Sequence, residues 1–374
     1  MDVLNQFNMF NTGRNIFRPV LFLAIISSFL FYSCGNGTDD SGSAFERSEL
    51  LENYCDNIII PGYHNFNEAT IQLHDIVSDY ADGSSSLYDC REELQSTWMS
   101  WQRVSPFGFG PAYNNLLNVT VNTYPVDIAQ IELDIENGSW NPPVSEFDHF
   151  GLPAIDYILN YKNQHTDEEI NRLLMLTNQL VALSTEVYND WEQSYADDFK
   201  SSTGTELGSS LSSLLNAFNQ IYEQNVRKQK LGLPVGISGS IDIGYSLPEN
   251  VEAYYANTYS IELLYEALIA FEDLYNGDYY INGVKIEGVG LDDYLITLGE
   301  YDYGSALNDD ILSQLASSKS AVLTLQNPLS DYVVNNRSDA IDVYLELQAL
   351  VVLWKVDMMG SLGVDIIYQD NDGD

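Results

Sequence analysis

Apolar residues recur along most of the chain at i, i+3, i+4 and i+7, the spacing of one buried helix face. Asn67 to Tyr80 carries Ile71, Leu73, Ile76, Val77 and Tyr80, and Leu87 to Val104 carries Leu94, Trp98 and Trp101. The longest run, Thr166 to Asp197, carries Ile170, Leu173, Leu174, Leu176, Leu180, Leu183, Val187 and Trp191. Four more follow: Glu206 to Gln229, Glu249 to Tyr275, Tyr303 to Leu325 and Ser330 to Met359. Thr166-Asp-Glu-Glu169 forms a capping box, in which a threonine hydroxyl and a glutamate three residues on satisfy each other's backbone N–H. Pro328 and Ser330 precede the last run. Strand signals are few, and the clearest is a small hairpin around Asn282-Gly283, a preferred tight-turn pair, within Asp278-Tyr-Tyr-Ile-Asn-Gly-Val-Lys-Ile. The pattern predicts an all-α fold of helical bundles with room for one small β-hairpin.

Two stretches interrupt the helical pattern. Lys200 to Ser210 (KSSTGTELGSS) is rich in Ser, Gly and Thr, and Gly232 to Leu247 is rich in Gly and Pro. The first divides the chain into an expected N-terminal helical domain, 45–203, and a C-terminal one, 204–374. No sharp internal repeat relates the halves. The N-terminus reads as a targeting segment. Arg14 and Arg18 precede Val20 to Tyr32, a largely apolar run of 13 residues. At roughly 1.5 Å per residue such a helix is too short for the ~30 Å hydrocarbon core, so residues 1–33 are expected to be a signal peptide. The run ends Phe-Tyr-Ser-Cys, similar to a bacterial lipoprotein cleavage site, with Cys34 as the lipidated first residue of the mature chain. Residues 34–44 then form a flexible polar tether. Its Asp39-Asp40 pair resembles the acidic export signals of Bacteroidetes surface lipoproteins. The expected location is the cell envelope, anchored to the outer membrane through Cys34.

Charge narrows the function. The 374 residues include 15 Lys+Arg and 55 Asp+Glu, a formal net charge of −40. Phosphate contact needs basic patches, so nucleic-acid binding is excluded, whereas the field favours cationic partners, metal ions included. Hydrophobic residues make up 45% of the chain, enough for a large core. The 26 tyrosines suit buried rings with polar partners or a wet aromatic cleft. Beyond Cys34 there are two cysteines, Cys55 and Cys90, on neighbouring helical segments. In an oxidising compartment they are either a disulfide or two unpaired thiols.

Three stretches carry a family resemblance. The first is Trp98 to Pro111 (WMSWQRVSPFGFGP), followed by Val121 to Asp127 (VNTYPVD). The second is Phe150 to Leu159 (FGLPAIDYIL). The third is Arg227 to Gly236 (RKQKLGLPVG), with Val251 to Tyr255 (VEAYY) and Tyr259-Ser260. In this order they resemble the imelysin family, and Leu362 to Asp374 resembles the C-terminus of its Bacteroidetes members. The resemblance spans about residues 45–374. It implies an all-helical, two-domain fold with a site between the domains built on a G-x-H-x-x-E motif. It also implies metallopeptidase activity or a part in the uptake of iron or other cations, with envelope uptake proteins as partners.

The chain departs from that motif where chemistry needs it most. Gly151 keeps the glycine, but Pro153 stands for the histidine and Asp156 for the glutamate. A histidine and a glutamate at i and i+3 share a helix face and can meet one metal ion; proline offers no such group. Asp156 is then either a ligand for a hard cation, if other oxygens converge on it, or a residue of a helix start. Ser105 stands where imelysins tend to carry an acid. A peptidase needs an activated water and a general base, so that reading suffers most. The resemblance marks Arg103, Ser105, Asp127, Gly151, Arg227 and Lys230 as site-lining residues and Asp156 as the metal candidate. In so acidic a chain, Arg103, Arg227 and Lys230 either pair with buried carboxylates or contact an anionic ligand.

Other motifs add little. His149 lies two residues before Gly151, and His165-Thr-Asp-Glu168 spells H-x-x-E but overlaps the capping box; His64 and His74 carry no motif. No zincin, C-x-x-C, G-x-S-x-G or phosphate-loop pattern is present. Asp370 to Asp374 has the opening rhythm of a calcium loop without its glutamate. The expectation is a non-catalytic binding protein for a metal, with iron suspected and zinc or calcium as alternatives, or for a small ligand in the cleft. The competing reading is a metallopeptidase with a degenerate site.

Overall fold

Periodic helices build almost the whole chain. The computed structural model describes residues 45–138, 146–239, 241–299 and 304–368; the expected signal peptide, Cys34, the expected tether and the Asp370–Asp374 stretch lie outside them. The main helices are α1 (Ile60–Ala81), α2 (Leu87–Val104), α3 (Ile128–Asn137), α4 (Gly151–Tyr161), α5 (Asp167–Asp190), α6 (Ser210–Ile221), α7 (Ser260–Asn276), α8 (Leu291–Gly299), α9 (Gly304–Val322), α10 (Leu329–Asn335) and α11 (Arg337–Val351). The all-α expectation holds. So does the hairpin at Asn282-Gly283, with Tyr279–Ile281 paired to Val284–Ile286. A second two-stranded ribbon, Ile237–Ser238 with Ile241–Asp242, was not expected from the Gly- and Pro-rich stretch.

In the first half, α1 packs along both α2 and α5, and α4 lies against α2 and α5. The apolar positions of α2 and α5 face these partners: Leu94, Trp98, Trp101, Leu173, Leu176 and Leu180 are all buried. The capping boxes at Ser86/Asp89 and Thr166/Glu169 fix where α2 and α5 begin. In the second half, α9 and the π-helical continuation of α6, Tyr222–Gly232, pack against α11. Phe218, Tyr222, Phe271 and Trp354 meet there largely edge to face, with centroids 4.6 to 5.3 Å apart for four of the pairs. Helix α2 crosses from the first group to pack on α7 of the second, and Ala44–Asp374 groups as one compact unit. No helix among the described residues is long and apolar enough to cross a membrane.

Two predicted runs are shorter than their periodicity. Within Glu249 to Tyr275 only Ser260–Asn276 is α-helical. Residues 251–256 form turns, with Ala253 and Asn257 in the left-handed region at φ 55° and 56°. Ser330 to Met359 breaks at Asn336 (φ −127°, ψ 40°) between α10 and α11. The first break has tertiary partners that periodicity does not record, the Asp156 carboxylate on the Tyr255 and Ala256 N–H groups. Of the two alternatives for Cys55 and Cys90, a disulfide or two unpaired thiols, the structure has the second, since both thiols are free and buried. The Cys55 sulfur faces the Ala196 carbonyl at 4.0 Å, and the Cys90 sulfur faces the Ile76 carbonyl at 3.7 Å. Burial pushes the Cys55 thiol up to about 12 and the Cys90 thiol to about 11, so neither is a ready thiolate. Adding reductant is therefore expected to leave the thermal midpoint unchanged by scanning calorimetry; a drop of several degrees would reveal a bridge.

Candidate functional site

The helix that begins at Gly151 sets the site. Gly151 has φ +67°, and a Cβ built on it would lie 2.2 Å from the Val121 carbonyl oxygen, so only glycine fits this entry to α4. Pro153 sits in the first turn, where its missing N–H costs nothing. One turn on, Asp156 is 1% exposed and points its carboxylate at the other half of the chain. Its Oδ2 accepts the Tyr255 N–H at 3.0 Å. Its Oδ1 accepts the Ala256 N–H at 2.9 Å and the Asn160 amide at 3.0 Å. Burial raises the Asp156 carboxyl to about 7, against the lowering pull of these three donors. Asp156 thus holds the turn at 251–256 onto α4.

The same turn carries a second buried carboxylate. Glu252 is 2% exposed, and its Oε1 accepts from Trp98 Nε1 (3.1 Å), Gln102 Nε2 (3.2 Å) and Asn122 Nδ2 (2.7 Å). Lys230 Nζ donates to its Oε2. Ser260 Oγ donates to the Glu252 carbonyl at 2.7 Å. Burial draws the Lys230 ammonium down and the contact with Glu252 opposes it. Glu252, Trp98, Gln102 and Asn122 were not among the expected site residues. The one signal for Glu252 was its place in VEAYY, downstream of a lysine in a base-poor chain.

Around this double clamp lies a cavity of about 400 Å³. Its walls include Tyr124 and Pro125, Pro153 and Asp156, and Glu249, Tyr254 and Tyr255, so all three quoted stretches reach it. Two tyrosine hydroxyls nearby, on Tyr124 and Tyr259, are buried without a hydrogen-bond partner among the described residues. Both are raised well above the usual phenol value, by burial first. Tyr255 is pushed up to about 12 by burial and then by the Asp156 charge.

Of the expected site residues, Asp156 and Gly151 meet here, and Lys230 joins through Glu252. The others lie elsewhere. Arg103 pairs with Glu266 and with Asp273 (2.6 Å), under the ring of Tyr280, and lines a separate cavity beside the hairpin. Arg227 donates to Tyr344 Oη at 2.8 Å and to Gln348 Oε1 at 2.5 Å, and lies 3.4 Å from Glu223. Ser105 Oγ donates to the Gln102 carbonyl at 3.3 Å, and Asp127 caps α3 by accepting the Gln130 N–H at 3.0 Å. His149 is buried beside Asp148 and Asp134, and His165 contacts the Ile158 carbonyl and Tyr80 Oη. Neither histidine lines the Asp156 cavity.

A metal does not fit this site as built. Among the described residues no group of three or more His, Cys, Asp and Glu side chains is arranged to hold one. Asp156 already accepts three hydrogen bonds, and Glu252 accepts three besides its lysine. Both carboxylates act as acceptors for protein donors.

The imelysin family model matches residues 59–352. Iron-regulated protein A of Synechococcus elongatus is 21% identical over 167 residues, and the match spans 44% of this chain and 44% of that protein's length. Two crystal structures share the fold. One, from Parabacteroides distasonis ATCC 8503, is provisionally described as an iron-regulated protein A precursor; it superposes with a TM-score of 0.71 at 15% identity, covering 86% of this chain and 97% of that one. The other, an imelysin-like protein from Psychrobacter arcticum 273-4, gives 0.66 at 16% identity, with the same coverages.

Two measurements check these electrostatics. Lys230→Met leaves Glu252 buried without its cation and is expected to cost about 3–5 kcal/mol in urea unfolding; adding Glu252→Gln should recover much of that loss. If the double variant is no more stable than the single, the lysine acts through packing alone. For Asp156, the raised carboxyl means that the folded state holds a proton more tightly than the unfolded one. Its contribution to stability is therefore greatest below about pH 4, declines as the pH rises through about 7, and is flat above. The stability difference between wild type and Asp156→Asn should shift by that amount across this window, and a pH-independent difference would contradict the assignment.

Proposed function

The chain belongs to the imelysin family, and on that footing we propose that it is a non-catalytic binding protein of the cell envelope, anchored through Cys34. Its ligand is a small molecule, organic or metal-bearing, taken in the cavity beside Asp156 and the 251–256 turn. The observation that carries this reading is the occupation of both buried carboxylates by protein donors. Hydrolysis needs a carboxylate free to take a proton from water, or a metal that holds that water. Asp156 and Glu252 spend their oxygens on holding the wall of the cavity instead. Pro153 offers nothing in the place of the motif histidine. The cavity's size, about 400 Å³, is in the range of small-ligand sites. The printed name of the Synechococcus relative links that protein to iron regulation, which supports metal-bearing ligands among those to test.

The test pairs two assays on the purified protein. Denatured casein is incubated with it, with and without a chelator. Thermal midpoints are recorded with ferric citrate, zinc chloride and calcium chloride and with a set of small organic compounds. The expected result is no chelator-sensitive cleavage and a midpoint that climbs with the concentration of at least one ligand, as binding to the folded state alone requires. Chelator-sensitive cleavage abolished by Asp156→Asn would overturn the proposal in favour of a peptidase.

A further inference from the structure

The cavity beside Asp156 has an unusual combination of walls. Three of its residues are tyrosines, Tyr124, Tyr254 and Tyr255, and two are prolines, Pro125 and Pro153. The rings of Tyr254 and Tyr255 meet edge to face with centroids 5.2 Å apart. Tyr255 also meets Tyr157 at 5.0 Å and Tyr161 at 6.2 Å, so the aromatic surface continues outward along α4. Among the described residues lining the cavity, the only charged ones are Asp156 and Glu249. Asp156 is buried, while Glu249 is exposed. No base lines the cavity, so the charge it presents is negative to the extent that these acids are ionised, and the surface that meets a ligand is mostly aromatic and aliphatic.

The hydrogen bonds of Asp156 decide what kind of cation suits such a place. Its three donors come from the protein itself. It offers an incoming group its charge but little acceptor capacity. A primary ammonium needs several acceptors for its N–H groups, and a bare metal ion needs several ligand oxygens. A weakly hydrated cation without N–H groups needs neither, and it is attracted by tyrosine rings and by a nearby negative charge.

The wall is also preformed. Ala253, which lines the cavity, sits at φ 55°, and Asn257 at φ 56°. A left-handed alanine is disfavoured by roughly 1–2 kcal/mol. The turn keeps that shape because Asp156 grips two of its N–H groups, Glu252 is held by its own donors, and Ser330 Oγ donates to Asn257 Oδ1 at 2.9 Å. Strain held in place by surrounding contacts is a mark of a pre-organised site.

We infer that this cavity binds a small organic cation of the quaternary ammonium class, with the tyrosine rings around the alkylated nitrogen and the Asp156 and Glu249 carboxylates as its counter-charges. The inference rests on the binding-protein reading above and names the chemistry of the ligand.

The test uses choline and its uncharged isostere, 3,3-dimethyl-1-butanol, titrated calorimetrically into the full-length protein. Saturable one-to-one choline binding is expected, with the isostere at least about tenfold weaker, in line with the worth of a desolvated cation–π contact. Tyr254→Leu and Glu249→Gln are both substitutions at exposed positions, so folding should survive them, and circular dichroism melts verify it. Each is expected to weaken choline binding several-fold. The inference is overturned if choline and the isostere bind alike, if choline does not bind at millimolar concentration, or if neither variant changes its affinity. If choline fails while another small ligand raises the thermal midpoint, the cation class is wrong and the binding-protein reading stands. Chelator-sensitive casein cleavage would sink that reading whatever choline does.

Discussion

A buried stretch of backbone that is not helical must find acceptors for its N–H groups, and the turn at 251–256 finds them on Asp156. That grip ties the first half of the chain to the second. Without it, the half-buried Tyr255 and Ala256 N–H groups would lose their acceptor. The rest of the region follows. Gly151 lets α4 start where Asp156 can reach across, and the Val121 carbonyl beside Gly151 keeps the Asn122–Tyr124 stretch close. Asn122 then reaches Glu252, and Trp98 and Gln102 of α2 meet the same carboxylate. One acidic side chain fixes the turn's backbone and the other anchors its side-chain face.

This division of labour leaves the helix start at Gly151 in place while Pro153 stands where the family motif has a histidine. A motif of glycine, histidine and glutamate couples a helix start to two polar groups on one face. Replacing the histidine by proline keeps the helix start and removes one group. The remaining carboxylate, shorter by one methylene, is turned to backbone donors. The cavity next to it is walled by tyrosines and prolines of all three stretches, Tyr124, Pro125, Pro153, Tyr254 and Tyr255.

Much of the fold was legible in the chain. Leu94, Trp98 and Trp101 mark the buried face of α2, whose limits at Leu87 and Val104 match the apolar run. Thr166 and Glu169 mark the start of α5, and Asn282-Gly283 marks the hairpin turn. The turn at 251–256 was not legible, because Val251, Tyr255 and Tyr259 keep a helical period while the groups that break it lie about a hundred residues away. The site was half legible. Asp156 stood out through its motif, and Lys230 through the scarcity of bases. Glu252 did not, since a buried glutamate and an exposed one look the same in a sequence. Arg103 and Arg227 drew notice for the same scarcity, and each proved to be committed to partners away from the Asp156 cavity.

The fate of the basic residues has a consequence for the outside of the molecule. Arg172, Arg227 and Lys230 are almost fully buried, and Lys319 and Lys355 are mostly so, each beside an acidic partner. In a chain with 15 basic residues and 55 acidic ones, withdrawing these cations leaves a nearly single-signed exterior. Two copies that approach one another meet an anionic atmosphere before any side chains touch, and at physiological salt its reach contracts to about 8 Å. Exposed apolar residues such as Ile241, on the second ribbon, and Tyr245, just beyond it, lie within that atmosphere, and its opposition to contact between copies weakens as ionic strength rises.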